Sequence, residues 1–116
     1  MNLADQIYAQ ALRMTGPLSP QQDALLRILS RGVKAELEGR LRRGVKTGEF
    51  RTELVSAGSL LALAAFCESD QSPERFTAGE LTVQRGSGKE TARSLRRQAE
   101  RIMAPWLAGG TVFLGV

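Results

Sequence analysis

Apolar residues recur at helical spacing along the first third of the chain and predict two helices. The first covers residues 3–14 and ends at Gly16-Pro17, because glycine accepts a left-handed cap and proline cannot continue the hydrogen-bond ladder. The second begins at Ser19, which together with Gln22 forms the pattern of a capping box. This part of the sequence therefore predicts a short helix followed by a longer one.

The second helix carries an apolar residue at every fourth position as far as about residue 43. At a rise of about 1.5 Å per residue it is roughly 35 Å long. Gly32 and Gly39 lie inside it, and glycine costs about 1 kcal/mol relative to alanine in a helix. These glycines indicate either that another element or subunit approaches the helix closely or that the helix simply tolerates their energetic cost. The apolar stripe consists of Leu25, Leu29, Val33, Leu37 and Leu41, widened by Leu26 and Ile28.

The third predicted helix follows a loop and a cap near Thr52, covers about residues 53–68, and is apolar on nearly every side. A helix of this kind must be covered on several sides. In a chain this small we expect neighbouring subunits to supply part of the cover, with Leu60, Leu63 and Phe66 in the oligomer interface. Its apolar run falls short of the roughly 20 residues that span a membrane. The sequence therefore predicts a buried helix and no membrane contact.

The spacing of apolar residues changes over residues 75–84. Leu81 and Val83 alternate there with polar residues, as in a strand with one solvent-exposed face. A glycine-containing turn and a capping box at Ser87 then lead into the last helix, which ends near Pro105 because proline disfavours helical geometry in the residue before it. The fold class predicted is mainly α: a small bundle of about four helices with a short β-strand or hairpin insertion before the last helix.

Two features of the C-terminal third suggest contacts with other molecules. The last helix carries a basic face opposite its apolar side, and the chain ends in an apolar tail that would invite strand pairing with another chain. In the tail we expect oligomer contacts through Val112, Phe113 and Leu114. The basic face consists of Lys89, Arg93, Arg96, Arg97 and Arg101.

Composition limits the chemistry. The 116 residues predict one domain over residues 1–116. The absence of histidine removes the commonest general base and metal ligand, and no nucleophile has a base beside it. Cys67, the single cysteine, is expected to be a small buried side chain. We therefore expect no enzyme, no metal and no cofactor. The polar N-terminus lacks a secretory signal, which predicts a start in the cytoplasm.

The charge balance favours an anionic partner. Sixteen basic and twelve acidic residues give a net charge of +4. The basic face of the last helix could bind phosphates through guanidinium forks, form a solvated surface, or pair with acids of a neighbouring subunit. A small basic nucleic-acid-binding regulator is thus an alternative function. No short turn between helices is expected to present a recognition helix, which argues against it.

Four segments, in this order and spacing, resemble the head-tail connector, or head-completion adaptor, proteins of long-tailed phages and prophages. The resemblance covers nearly the whole chain, and the third segment is similar to the alternating strand signature of that family. The segments are AELEGRL at 35–41, SLLALAAF at 59–66, FTAGELTV at 76–83 and LRRQAERIMAPWL at 95–107.

The resemblance implies a mostly helical, non-catalytic subunit of a closed ring of about a dozen copies. The ring would lie below the portal protein, let DNA pass, and attach to a tail or stopper protein. It implies assembly in the host cytoplasm and then a place in the virion. The loop between the second and third helices is shorter than the family has, so no portal-docking element is assigned.

Overall fold

The structure is a computed structural model that describes residues 2–41, 47–69, 75–78, 81–84 and 88–106. In this part of the chain the small helical bundle predicted from the sequence is confirmed. The α-helices are α1 (Leu3–Thr15), α2 (Pro20–Arg40), α3 (Arg51–Cys67) and α4 (Gly88–Met103). Short 3-10 turns, Thr47–Phe50 and Ala104–Trp106, precede α3 and follow α4.

Two four-residue strands stand between α3 and α4, in the segment where the sequence changes period. They are β1 (Arg75–Ala78) and β2 (Leu81–Gln84), and they pair antiparallel with Phe76 opposite Val83. The predicted capping box at Ser87 and the apolar tail from residue 107 onward lie outside the described residues.

The turn between α1 and α2 has the predicted local chemistry. Gly16 adopts φ +74°, a conformation that favours glycine, and its N–H donates to the Leu12 carbonyl. The Ser19 hydroxyl accepts from the Gln22 N–H at 3.2 Å, while the Gln22 side chain accepts from the Ser19 N–H at 2.9 Å. This reciprocal capping box satisfies free amides at the start of α2.

The start of α3 differs from the prediction. The helix begins at Arg51, directly after the 3-10 turn, and its N-cap residue Phe50 makes no side-chain capping hydrogen bond. The predicted cap near Thr52 is therefore wrong. Phe50 is buried and stacks on Trp106, with ring centroids 4.6 Å apart and planes at 3°. Burial of this ring, rather than a polar cap, anchors the start of α3 and joins it to the end of α4.

The central position of α3 corrects the predicted oligomer interface. α3 packs against α1, α2 and α4 of its own chain. Leu63 and Phe66 have no exposed surface, and Leu60 is 5% exposed. The assignment of these three residues to an interface between subunits is wrong, because three helices together cover the surface that one partner helix could not cover.

The segment Gly48–Cys67 is, by length and composition, long and apolar enough to cross a membrane, with 20 residues and a mean hydropathy of 1.3. The prediction that it is too short is therefore wrong, since the 3-10 turn extends α3 toward the N-terminus. In the fold, 67% of its most apolar window is buried. Packing within the bundle accounts for its composition.

α2 buries part of the predicted apolar stripe and adds Ser30 to it. Leu26, Val33 and Leu37 are buried together with Ser30, whereas Ile28 is 56% exposed. The Ser30 hydroxyl donates to the Leu26 carbonyl at 2.8 Å, so this polar side chain enters the core with its hydrogen bond satisfied. The buried face is therefore rotated relative to the row of leucines, of which Leu25, Leu29 and Leu41 are only partly buried.

Close approach of two helices occurs at Gly58 of α3. A Cβ atom placed there would lie 2.6 Å from Cδ1 of Ile7 in α1. At Gly32 and Gly39 a Cβ atom would meet none of the described residues within 4 Å. The interpretation that one of the described elements approaches those two glycines is therefore wrong.

Candidate functional site

α4 separates a buried apolar side from an exposed basic side. Ala92, Leu95, Ala99 and Met103 have no exposed surface and pack in the core beside α3. This packing fixes the rotation of the helix about its axis, because these residues recur at three- and four-residue steps. The opposite side must then face solvent.

Four cations lie on that opposite side at successive four-residue steps: Lys89, Arg93, Arg97 and Arg101. All four are exposed, and we call them the basic stripe. They extend over roughly 18 Å at about 1.5 Å per residue. α4 contains five cations and two carboxylates, so it contributes three of the net four positive charges of the chain. The largest described concentration of positive charge thus lies on one helix face.

Arg96 does not belong to this surface, although the sequence placed it there. Its guanidinium donates to the carboxylate of Glu68, the residue at the C-terminal end of α3, and forms an ion pair with it. The Arg96 side chain is only 21% exposed. The sequence prediction failed here because the partner is 28 residues away and comes near only when α3 and α4 pack together.

Charge pairing on α4 differs from that on α2. On α2, Arg27 pairs with Asp23 at 3.0 Å and Lys34 pairs with Glu38 at 3.3 Å, each four residues apart. In the basic stripe, each four-residue step instead joins two cations, which destabilises a helix. None of the ion pairs formed between described residues involves a member of the stripe. Glu90, three residues before Arg93, and Glu100, three residues after Arg97, offset only part of this repulsion.

A second polar cluster joins α1 to α2. Tyr8 donates a hydrogen bond to Asp23, and the Arg27 guanidinium lies 4.2 Å from the centre of the Tyr8 ring. The bond to Asp23 raises the pKa of Tyr8, and the bond from Tyr8 lowers the pKa of Asp23. Because the phenol holds its proton more tightly, the cluster is suited to joining two helices rather than to acid-base chemistry.

An open groove of about 510 Å³ lies between α1 and the start of α3 and was not predicted. It contains Arg13 and Arg51, which are far apart in sequence. Arg13 donates to the Gln10 side chain at 2.9 Å and Arg51 to that of Gln6 at 2.5 Å. No group of three metal-ligating side chains occurs in the described parts of the chain.

Cys67 is buried, as predicted, with 7% of its surface exposed. Burial, and to a lesser extent the neighbouring charge of Glu68, raises the pKa of its thiol to about 11. The thiolate is the reactive form, so the folded protein presents an inert cysteine at neutral pH.

We expect Cys67 to resist alkylation by iodoacetamide at pH 8 in the folded protein and to react readily in urea. The unfolded thiol titrates near 9 and the folded one near 11, so the unfolded state loses its proton first as the pH rises. The free energy of unfolding should therefore fall between pH 9 and 11 more steeply in the parent than in Cys67→Ala. Equal slopes in urea titrations of the two proteins would contradict the shift.

The remaining predicted interface residues, Val112, Phe113 and Leu114, lie outside the described residues. Comparison with known proteins adds no assignment: no family model matches the chain, and neither curated proteins nor solved structures give a significant match. The exposed basic stripe is thus the candidate functional surface that the described residues present.

Proposed function

We propose that this protein is a head-tail connector subunit of a long-tailed phage or prophage, one of the copies of a ring below the portal. The observation that carries the proposal is the order of the elements. An apolar core helix is followed by two short strands and then by a basic last helix, the order that the resemblance implies. Segment 59–66 falls on α3, and residues 95–106 of the last segment fall on α4 and its following turn.

Ring assembly must use surfaces other than α3. One chain by itself buries the side chains of Leu60, Leu63 and Phe66, so they offer no contact to a neighbouring subunit. The tail residues Val112, Phe113 and Leu114 remain the proposed contact between copies, since three consecutive apolar residues favour association. Unlike faces of neighbouring subunits would meet around a closed ring.

The test is assembly on a portal. We expect the purified chain, mixed with the portal protein of the same phage or prophage, to form rings on the portal that negative-stain electron microscopy resolves. Val112→Asp, Phe113→Asp and Leu114→Asp together should abolish these rings while leaving the helical circular dichroism unchanged, because three carboxylates would be buried without partners.

A charge-matched control distinguishes the effect of changing the tail residues from a general effect of three added carboxylates. Asn2→Asp, Gln21→Asp and Thr52→Asp place three carboxylates at exposed helix starts, where negative charge is favourable. This variant should assemble like the parent. Absence of portal binding and of rings with the parent protein at every concentration would refute the connector proposal.

The alternative, a nucleic-acid-binding regulator, is favoured by the basic stripe alone. A short turn of four residues, 16–19, separates α1 from α2, as the helix ends predicted from the sequence imply. A helix-turn-helix reader would place the second of these helices in the major groove. α2 instead carries acids among its cations, including Asp23, Glu36 and Glu38. We therefore retain the connector as the proposed function.

A further inference from the structure

We propose that the basic stripe, Lys89, Arg93, Arg97 and Arg101, is a docking surface for the phosphate backbone of duplex DNA. The inference rests on the proposed function, in which DNA passes the subunit, and names the face that meets it. Three of the four members are arginines, whose planar guanidinium groups bind phosphate oxygens in pairs.

The geometry suits a polyanion with regularly repeated charge. Adjacent members are about 6 Å apart along the helix axis, at 1.5 Å per residue. Duplex DNA carries one negative charge per roughly 1.7 Å of its axis, so each member finds a phosphate without a fixed register. No base-reading side chain is required, and the expected binding is independent of sequence.

The sign of the charge pattern argues against a merely solvated face. On α2 the ion pairs alternate in sign along the helix, whereas the stripe repeats cations at every step. The bundle could relieve this repulsion by pairing the cations with another helix, as Arg96 pairs with Glu68. The ion pairs between described residues include none with a member of the stripe, Glu90 and Glu100 offset only part of its charge, and a line of phosphates would supply the remaining counter-charge.

An acidic protein surface is the competing partner for the same charges. The stripe favours DNA because its members continue over four successive steps of one helix, about 18 Å, without an apolar residue among them. Protein interfaces are depleted of charged residues at their core. Glu90 and Glu100 lie on the same side of α4, so this face carries four cations and two carboxylates, a polar and net positive surface of the kind that proteins present to DNA.

The test is the salt dependence of DNA binding by the full chain, measured by fluorescence anisotropy on a labelled duplex of arbitrary sequence. If each member contacts one phosphate, log K should fall with log salt at a slope of about −3.6. Affinity should then drop about 150-fold between 50 and 200 mM salt. The triple variant with Arg93→Gln, Arg97→Gln and Arg101→Gln keeps one phosphate contact. Its affinity should therefore drop only about 3.5-fold over the same salt range.

A matched variant removes the same charge elsewhere. Arg13→Gln, Arg31→Gln and Lys34→Gln lie on α1 and α2 and also take the net charge from +4 to +1. This variant should keep the steep slope of the parent. Equal losses in the two triple variants would show general attraction to a basic protein and would overturn the proposal, as would absence of DNA binding by the parent at 50 mM salt.

Portal binding measured in parallel separates this inference from the connector proposal. The stripe variant should still join the portal ring, because the stripe faces DNA. If the stripe variant lost portal binding but kept the salt slope of the parent on DNA, the stripe would contact a protein partner. That result would overturn the inference. Failure of the parent to join the portal would instead remove the connector proposal and leave the DNA result standing.

Discussion

Replacing Phe66 by alanine should lower the free energy of unfolding of the isolated chain by about 3–5 kcal/mol. The side chain has no exposed surface and lies on α3, where the other three helices converge. Its removal loses the transfer free energy of the ring and leaves a cavity that packed neighbours fill only in part. Urea unfolding followed by circular dichroism measures the loss.

The matched control is Ile28→Ala. Ile28 is the large hydrophobic side chain that the described residues leave 56% exposed, so its truncation should change stability by less than about 0.5 kcal/mol. The pair also tests the corrected position of α3. If Phe66→Ala left the isolated chain as stable as the parent and removed only ring assembly, Phe66 would belong to a subunit interface after all.

The second large effect is expected at Gly58. In Gly58→Ala the new methyl group would lie 2.6 Å from Cδ1 and 2.7 Å from Cγ1 of Ile7, and 3.4 Å from Cδ1 of Leu37. Ile7 has no exposed surface into which it can move. Overpacking of this kind costs about 1–3 kcal/mol, more than alanine regains in helix propensity, so the protein should be less stable.

A double-mutant cycle identifies the cause. In an Ile7→Ala background the clashing atoms are gone, so Gly58→Ala should become neutral or stabilising there. The difference between the two backgrounds should lie in the range of about 0.5–3 kcal/mol that contacting residues show. Gly32→Ala, where nothing lies within 4 Å, should stabilise by up to about 1 kcal/mol in either background. The same loss at Gly58 with and without Ile7 would exclude close helix approach as its reason.

Local signals in this sequence were sufficient for the end of α1, the start of α2 and the end of α4, though not for the start of α3. Gly16 ends α1 because its positive φ suits glycine, and Ser19 with Gln22 starts α2 through two short-range hydrogen bonds. α4 ends at Met103, one residue before Ala104, where the following proline disfavours helical geometry. Each of these features depends on residues within a few positions of one another, so the sequence contains the whole interaction.

The candidate site was predicted in part. Periodicity located the basic face of α4 because four of its cations share one helix face irrespective of what α4 packs against. It could not exclude Arg96, whose carboxylate partner on Glu68 comes from another helix. It also could not show the groove that holds Arg13 and Arg51, since α1 and α3 form its walls together.

Residue spacing was enough to predict the number and order of the helices, the capped turn between α1 and α2, and a last helix with one basic side, since each depends on a single chain segment. What covers α3 depends on how the helices pack in three dimensions. A uniformly apolar helix indicates that it must be covered, but the same requirement is met by three helices of one chain or by neighbouring subunits. Here α1, α2 and α4 cover it, which leaves Leu60, Leu63 and Phe66 in the interior and the basic stripe of α4 facing outward.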